Sequence, residues 1–423
     1  MNEKREKALK KFLERTAAAL IAAAFVLSAA IPCRAATNSE AKEDLPYFYN
    51  FLTNQEKTIY VSLRRGIMEN KEKIDTIPFY SSEVYRRICE LIMYNDDLTF
   101  NLAGLSGSTT GGKSTFEVRY SVDNYTYKLM RSELEEAADK VAKEALKIKS
   151  EYDRIAFIHD YIAENTVYGH TYASSDGLGF EHYAYGALVE GVAVCQGYSA
   201  AFTYLCRKSG IECVNVYGVS KGEYHSWNKV LCDKKWYNVD VTWDDPVSNF
   251  KENITHDYFM LSDSDFAKDH TADAITGTEI ISDESRGYYA ENDILFEKNS
   301  EAYSYCLEML TEAAKEKRNS LSLNFANETA YNNMIRYLEY KNRLRLKRML
   351  GEVKKASGAD ILTDSTWYFK NDDSLRLTIV LVYKESKLSD YFVLPEAVKN
   401  PEKYEKIGII ADIPKKDEND DKQ

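Results

Sequence analysis

The chain predicts an α+β fold on three observations. Runs with apolar residues at helical spacing fill much of residues 53–92 and 132–162, an alternating hairpin separates those two groups, and three strand-like runs follow within 212–244. Taken in order, a helix after Thr53 puts Ile59, Leu63 and Ile67 on one face, and another after Ser82 does the same with Val84, Ile88, Leu91 and Ile92. Alternating residues 98–102 and 116–122 flank a Gly/Ser/Thr cluster, the pattern of a hairpin with a soft loop. Ser132 and Glu135 form a capping-box pattern that opens a helix turning Leu134, Ala138, Val141, Ala145 and Leu146 inward. Ser150 starts the next, with Ile155, Ile158 and Ile162. A short helix over 183–189 leads through a glycine-marked loop into a small-residue helix over 195–209, which Gly210 ends. Strands over 212–220, 225–233 and 236–244 follow. A separate α/β module begins near 290, with a helix over 301–317, a strand over 320–325, one long amphipathic helix to Ala356 and two or three strands. The expected organisation is a signal segment to residue 35, an N-terminal region over 36–130, a central domain over 131–285, a C-terminal module over 290–412 and a solvated tail over 413–423.

Gly107-Ser-Thr-Thr-Gly-Gly-Lys-Ser114 satisfies the phosphate-loop pattern at every position. That loop works only where a strand precedes it and a helix follows, so that the helix N-terminus faces the anion. Here residues 116–122 alternate like a strand, which leaves the phosphate without a dipole. The hairpin reading excludes ATP binding.

Lys4, Arg5, Lys7, Lys10, Lys11 and Arg15 precede an apolar run from Ala17 to Ile31 that closes on Cys33-Arg-Ala35, the order of a secretory signal peptide cleaved after Ala35. No later stretch is apolar enough for a membrane span, so an exported or cell-surface protein is expected. Removing the first 35 residues leaves 48 basic and 64 acidic side chains, net −16, which repels nucleic acid and anionic lipid. The 32 tyrosines are scattered evenly and read as core and rim packing. Six cysteines remain: Cys89, Cys195, Cys206, Cys213, Cys232 and Cys306. An even count invites disulfides, but no C-x-x-C spacing supports a metal, and one working thiol would leave five, which cannot all pair. No motif calls for a cofactor.

Cys195 opens a helix, where the N-terminal dipole favours a thiolate, and small residues Gly197, Ser199, Ala200 and Ala201 follow it. His225 heads one strand and Asp240 lies on the next. A two-residue loop at Asp233-Lys234 or Lys234-Lys235 makes facing residue numbers sum to an odd value, so His225 and Asp240 share a face. With the loop on Asp233-Lys234, His225 faces Thr242 and lies diagonal to Asp240. A nucleophile, a base and an orienting acid are the parts of a triad.

Tyr185-Gly-Ala-Leu188, the run from Gly191 to Tyr198, Ser209-Gly-Ile-Glu-Cys213, His225-Ser-Trp-Asn228 and the run from Trp236 to Pro246 together resemble the core of bacterial transglutaminase-like proteins. The resemblance spans about residues 130–270 and implies a papain-like α+β fold, with Cys195 as nucleophile, His225 as base and Asp240 as orienting acid. His270 matches the family's continuation and is given a structural role; Asp244 and Asp245 are assigned to the turn at Pro246. The implied activity is acyl transfer on an amide or peptide bond of a protein or peptide substrate, with hydrolysis favoured over cross-linking because water needs no second binding site. A surface binding protein that keeps the shape without the activity is the alternative.

Overall fold

The computed structural model describes residues 45–76, 81–110, 113–169, 179–245, 254–273, 280–292, 294–365, 367–372 and 374–386. The expected signal segment, Pro246 and the tail lie outside them. Helix α1 (Asn54–Met68) starts at a full capping box: the Thr53 hydroxyl accepts from the Glu56 N–H, and the Glu56 carboxylate accepts from the Thr53 N–H at 2.8 Å. After strand β1 (Lys73–Thr76), helix α2 (Ser82–Asn95) is capped by Ser81, one residue earlier than its sequence suggests. Ile59, Leu63, Ile67, Ile88, Leu91 and Ile92 are all buried, as their spacing requires.

Strands β2 (Leu102–Thr110) and β3 (Lys113–Tyr120) form an antiparallel hairpin as expected, but its first strand begins at Leu102, where the sequence reading ends it, after a 3-10 turn at Asp97–Thr99, and it runs on through the residues expected as a soft loop; β1 joins the far edge of β3. Gly107, Thr109 and Thr110 of the phosphate-loop pattern thus lie in a ladder, Gly111 and Gly112 fall outside the described residues, and Lys113 is ion-paired with Asp75 at 2.5 Å.

Helix α3 (Asn124–Ala145) corrects the sequence reading. It begins eight residues before Ser132 because Asp123 caps it, taking the N–H groups of Tyr125 and Thr126, so Ser132 is interior and the helix crosses residue 130. Leu146, expected inward, falls just past the last turn and is 56% exposed. Helix α4 (Glu151–Asn165) begins at the Ser150 cap as expected. Strand β4 (Val167–Tyr168) pairs in parallel with β5 (Val192–Ala193), which follows a π-turn at Gly186–Glu190 and the left-handed Gly191, φ 70°.

Helix α5 (Cys195–Lys208) is nearly all buried, packed between α3 and α4 on one side and a five-stranded antiparallel sheet on the other. That sheet has the order β10-β6-β7-β8-β9, from strands β6 (Cys213–Ser220), β7 (Glu223–Cys232), β8 (Lys235–Val239), β9 (Phe259–Leu261) and β10 (His270–Ala272). Gly218 lets the edge strand approach: a β-carbon there would lie 2.0 Å from the Thr271 carbonyl oxygen. The α+β expectation holds, with the helix that begins at Cys195 lying on an antiparallel sheet.

A second apolar core gathers residues between Phe296 and Leu381. Its sheet has the order β11-β12-β14-β13, from β11 (Leu295–Phe296), β12 (Ser320–Phe325), β13 (Trp367–Asn371) and β14 (Arg376–Val380), with helices α7 (Asn299–Lys315) and α8 (Glu328–Ser357) against it; α6 is the single turn Val241–Asp244 described below. The long helix expected here is interrupted: Tyr340 to Arg343 leave helical geometry, and Lys341, Asn342 and Arg343 are left-handed. No buried residue lies between Leu338 and Leu346, so no packing holds that stretch helical. Arg376 of β14 pairs with Asp257 at 2.7 Å, tying this sheet to the segment before β9. Among the described residues, no helix is long and apolar enough to cross a membrane.

Candidate active site

Cys195 is the first residue of α5, and the turn before it is fixed from outside: Val194 N–H donates to the Glu181 carbonyl at 3.0 Å. Gly197 is required by that crossing, since a β-carbon would sit 2.3 Å from the same oxygen. Side chains then lock the helix to β7. The Ser199 and Ser226 hydroxyls are hydrogen-bonded, and the Asn228 amide donates to the Ser199 carbonyl, to Thr203 Oγ1 and to Asn215 Oδ1 at 2.9–3.0 Å. The small residues after Cys195 therefore permit the close approach their sequence suggested.

The β7–β8 turn falls on Asp233-Lys234, both left-handed, with φ 48° and 70°. Its register pairs Cys232 with Lys235 and Asn228 with Val239, an odd sum throughout, as counting predicts. The strand itself is shorter than expected. β8 stops at Val239, and Asp240 becomes the N-cap of α6, its Oδ1 accepting from the N–H groups of Thr242 and Trp243 at 3.0 and 3.2 Å. Thr242 thus does not face His225 across a ladder. The capping bonds leave the other oxygen, Oδ2, turned to His225 Nε2 at 2.7 Å.

Both partners are buried. Burial opposes a charge on His225, but the adjacent Asp240 carboxylate and the Cys195 side chain outweigh it and push the imidazole up to about 10. With Nε2 on Asp240, Nδ1 is the imidazole nitrogen left for the neighbouring Cys195 side chain. Burial likewise works against the Asp240 carboxylate, yet His225 and His270 hold it well below the usual range. The structure brings all three sequence-selected residues together.

Two neighbours were not legible as site residues. His270 Nε2 lies 3.1 Å from Asp240 Oδ2, the oxygen that His225 uses, while its Nδ1 meets Asp269 at 2.6 Å and Tyr258 donates to the other Asp269 oxygen. Its position depends on β10 pairing with β6 across 50 residues, His270 opposite Ser220, which no local pattern reveals. Tyr168 is placed by the parallel β4–β5 bridge, opposite Ala193, and burial and then the neighbouring Cys195 push its phenol up to about 12. An aromatic residue at the end of a short strand carries no signal of that kind.

The remaining carboxylates have other partners. Asp244 is buried, accepting from the Thr255 hydroxyl and the Tyr258 N–H, with His159 Nε2 at 3.1 Å from its second oxygen. His159 meets Asp160 through Nδ1 at 2.9 Å; burial opposes its charge, but the two carboxylates push it up to about 9. Burial raises Asp245 to about 7 against the opposing bond from the Tyr198 phenol. The six described cysteines are free thiols, and burial pushes Cys89 and Cys232 up to about 12. Cys206 and Cys306 are raised by burial as well.

The model of the transglutaminase-like superfamily matches residues 139–241. The kyphoscoliosis peptidases of Mus musculus and Homo sapiens are 34% and 33% identical over 96 residues, 19% of this chain. The chain spans only 14% of the length of these curated relatives. Among solved structures, a TGase is 18% identical with a TM-score of 0.23, over 40% of this chain and 50% of that one. The periplasmic domain of TgpA from Pseudomonas aeruginosa is 15% identical with a TM-score of 0.22, over 31% and 53%. Scores of that size carry no argument, and the fold stands on the elements described above. The segment similar to the transglutaminase-like superfamily contains Cys195, His225 and Asp240 and ends one residue past Asp240.

Proposed function

We propose that the protein is an exported cysteine enzyme of acyl-transfer type, acting on amide or peptide bonds, with Cys195 as nucleophile, His225 as base and Asp240 as the acid that orients it. The observation that carries this reading is the buried 2.7 Å contact between His225 Nε2 and Asp240 Oδ2, with the Cys195 side chain neighbouring the same imidazole. The relatives from Mus musculus and Homo sapiens are named as peptidases, which agrees with it. The basic and apolar N-terminal sequence supports export.

In this mechanism the Cys195 proton passes to His225, and the sulfur attacks the carbonyl carbon. A C–S bond forms while the carbonyl π pair moves to oxygen. The C–N bond then breaks, the amine leaves with the proton from His225, and water hydrolyses the acyl enzyme. Asp240 holds Nε2–H throughout, which fixes the tautomer and compensates the imidazolium. Hydrolysis is favoured over amine transfer because it needs no second binding groove.

The test is incubation of the mature protein and Cys195→Ala with a peptide library at neutral pH, with and without a primary amine, read by mass spectrometry. Cleaved or deamidated peptides that the variant does not produce, with little amine incorporated, are expected. Identical product sets from the two proteins would overturn the reading.

A further inference from the structure

Asp240 Oδ2 has two donors, and only one of them belongs to the triad. A carboxylate has no proton to give, so each imidazole nitrogen that faces it is the donor. His225 Nε2 stands 2.7 Å from Oδ2 and His270 Nε2 3.1 Å, with the two ring centroids 5.8 Å apart. The side chains of Asp240 and His270 are each 1% exposed, so bulk water does not compete for this oxygen. The His270 ring is itself set from behind. β10 places it by pairing His270 with Ser220 of β6, its Nδ1 lies 2.6 Å from Asp269 Oδ1, and the Tyr258 phenol donates to the second Asp269 oxygen at 2.6 Å. Trp227 and Phe266 close its sides, with centroids 4.9 and 4.4 Å away. An apolar side chain would fill such a place at lower cost than an imidazole, whose polar atoms must be satisfied when buried. One of the two bonds that satisfy it goes to the oxygen the base uses.

Resting on the proposed function, we infer that His270 is a positioning residue of the same site: its Nε2–H holds Asp240 Oδ2 toward His225, so that the triad works as a unit of four residues. Asp240 must accept from His225 without taking the proton. A second N–H on the same oxygen favours the ionised carboxylate, and together with the two N–H groups of α6 on Oδ1 it fixes the carboxylate plane. Burial works against the Asp240 charge, and His225 and then His270 offset it. His270 acts on the base only through that carboxylate.

Acylation of Cys195 by p-nitrophenyl acetate reads this role without the natural substrate: the C–S bond forms, the carbonyl pair moves to oxygen, and on collapse p-nitrophenolate leaves with the C–O pair. His270→Leu removes the donor and keeps the place apolar; His270→Gln offers an amide N–H where the Nε2–H stood. Acylation is expected to slow on the order of 10- to 100-fold in His270→Leu, the scale of a lost hydrogen bond to a charged group, and His270→Gln is expected to recover most of that loss. The loss should also disappear once Asp240 can no longer act. Added to Asp240→Asn, His270→Leu is expected to change the rate by less than roughly threefold, whereas a packing role would multiply the two losses. Urea melts establish which variants are folded. Multiplied losses in the double variant, equal losses in His270→Leu and His270→Gln, or an unchanged rate in His270→Leu would each overturn the inference. If His270→Leu does not fold, His270→Gln alone decides: a rate within tenfold of the wild type supports the inference, and any larger loss overturns it. His225→Ala is run in parallel. If acylation of the wild type depends on neither His225 nor Asp240, the proposed function fails; if it depends on both and the His270 losses multiply, only this inference fails.

Discussion

Asp240→Asn is expected to lower acylation of Cys195 by p-nitrophenyl acetate by roughly 10³- to 10⁴-fold, the scale on which an orienting carboxylate acts in a triad. The size follows from how completely the carboxylate is used. Oδ1 accepts two backbone N–H groups at the start of α6, and Oδ2 faces two imidazole nitrogens, His225 at 2.7 Å and His270 at 3.1 Å. An asparagine amide has one accepting end and one donating end. With the NH2 toward the imidazoles, His225 loses its acceptor and is driven to the wrong tautomer. With the NH2 toward the backbone, it meets two N–H donors in a buried place, and α6 loses its cap. Neither orientation satisfies the site. Rates measured beside a thermal melt check the prediction: a folded variant that still acylates within tenfold of the wild type would show that Asp240 does not orient the base.

Gly197→Ala is expected to destabilise the protein by about 1–3 kcal/mol and to abolish rapid reaction of Cys195. The added methyl would meet the Glu181 carbonyl oxygen at 2.3 Å and the Ala193 β-carbon at 2.8 Å. The first of these atoms belongs to the backbone, so no rotamer change relieves the contact. The Glu181 carbonyl is also the acceptor for Val194 N–H, and pushing it away loosens the turn that presents the nucleophile. Urea unfolding with the midpoint and slope fitted separately measures the first effect, and iodoacetamide labelling the second. An unchanged midpoint would mean that the crossing segment yields without cost.

The pairing of Cys195, His225 and Asp240 was legible because it depends on short-range rules. A helix start, a period of two and a two-residue turn suffice to put His225 and Asp240 on one face, and the odd register sum follows without any knowledge of the tertiary fold. What escaped is how Asp240 holds its place. Trp236 to Asp244 reads as a strand, yet an Asp followed by donors two and three residues on is also an N-cap, and the cap prevails once Val239 ends the ladder. The same competition hid the start of α3, where Asp123 caps first and leaves the Ser132 pattern inside the helix. His270 and Tyr168 were beyond local reasoning, because an edge strand pairing across 50 residues and a two-residue parallel bridge place them. The phosphate-loop pattern shows the converse: a complete local match that its own flanks convert into a hairpin.

The central claim is that Cys195 and His225 act as one unit, and the pH dependence of Cys195 alkylation by iodoacetamide tests it most directly, in the mature protein and in His225→Ala, with the labelled peptide identified by mass spectrometry. His225 is held protonated up to about pH 10 beside the sulfur, so the wild type should react rapidly at pH 6–8, where ordinary thiols with a pKa of about 8.5 are mostly protonated, and the variant should be slower by about tenfold or more. Equal rates in the two proteins across that range would contradict it.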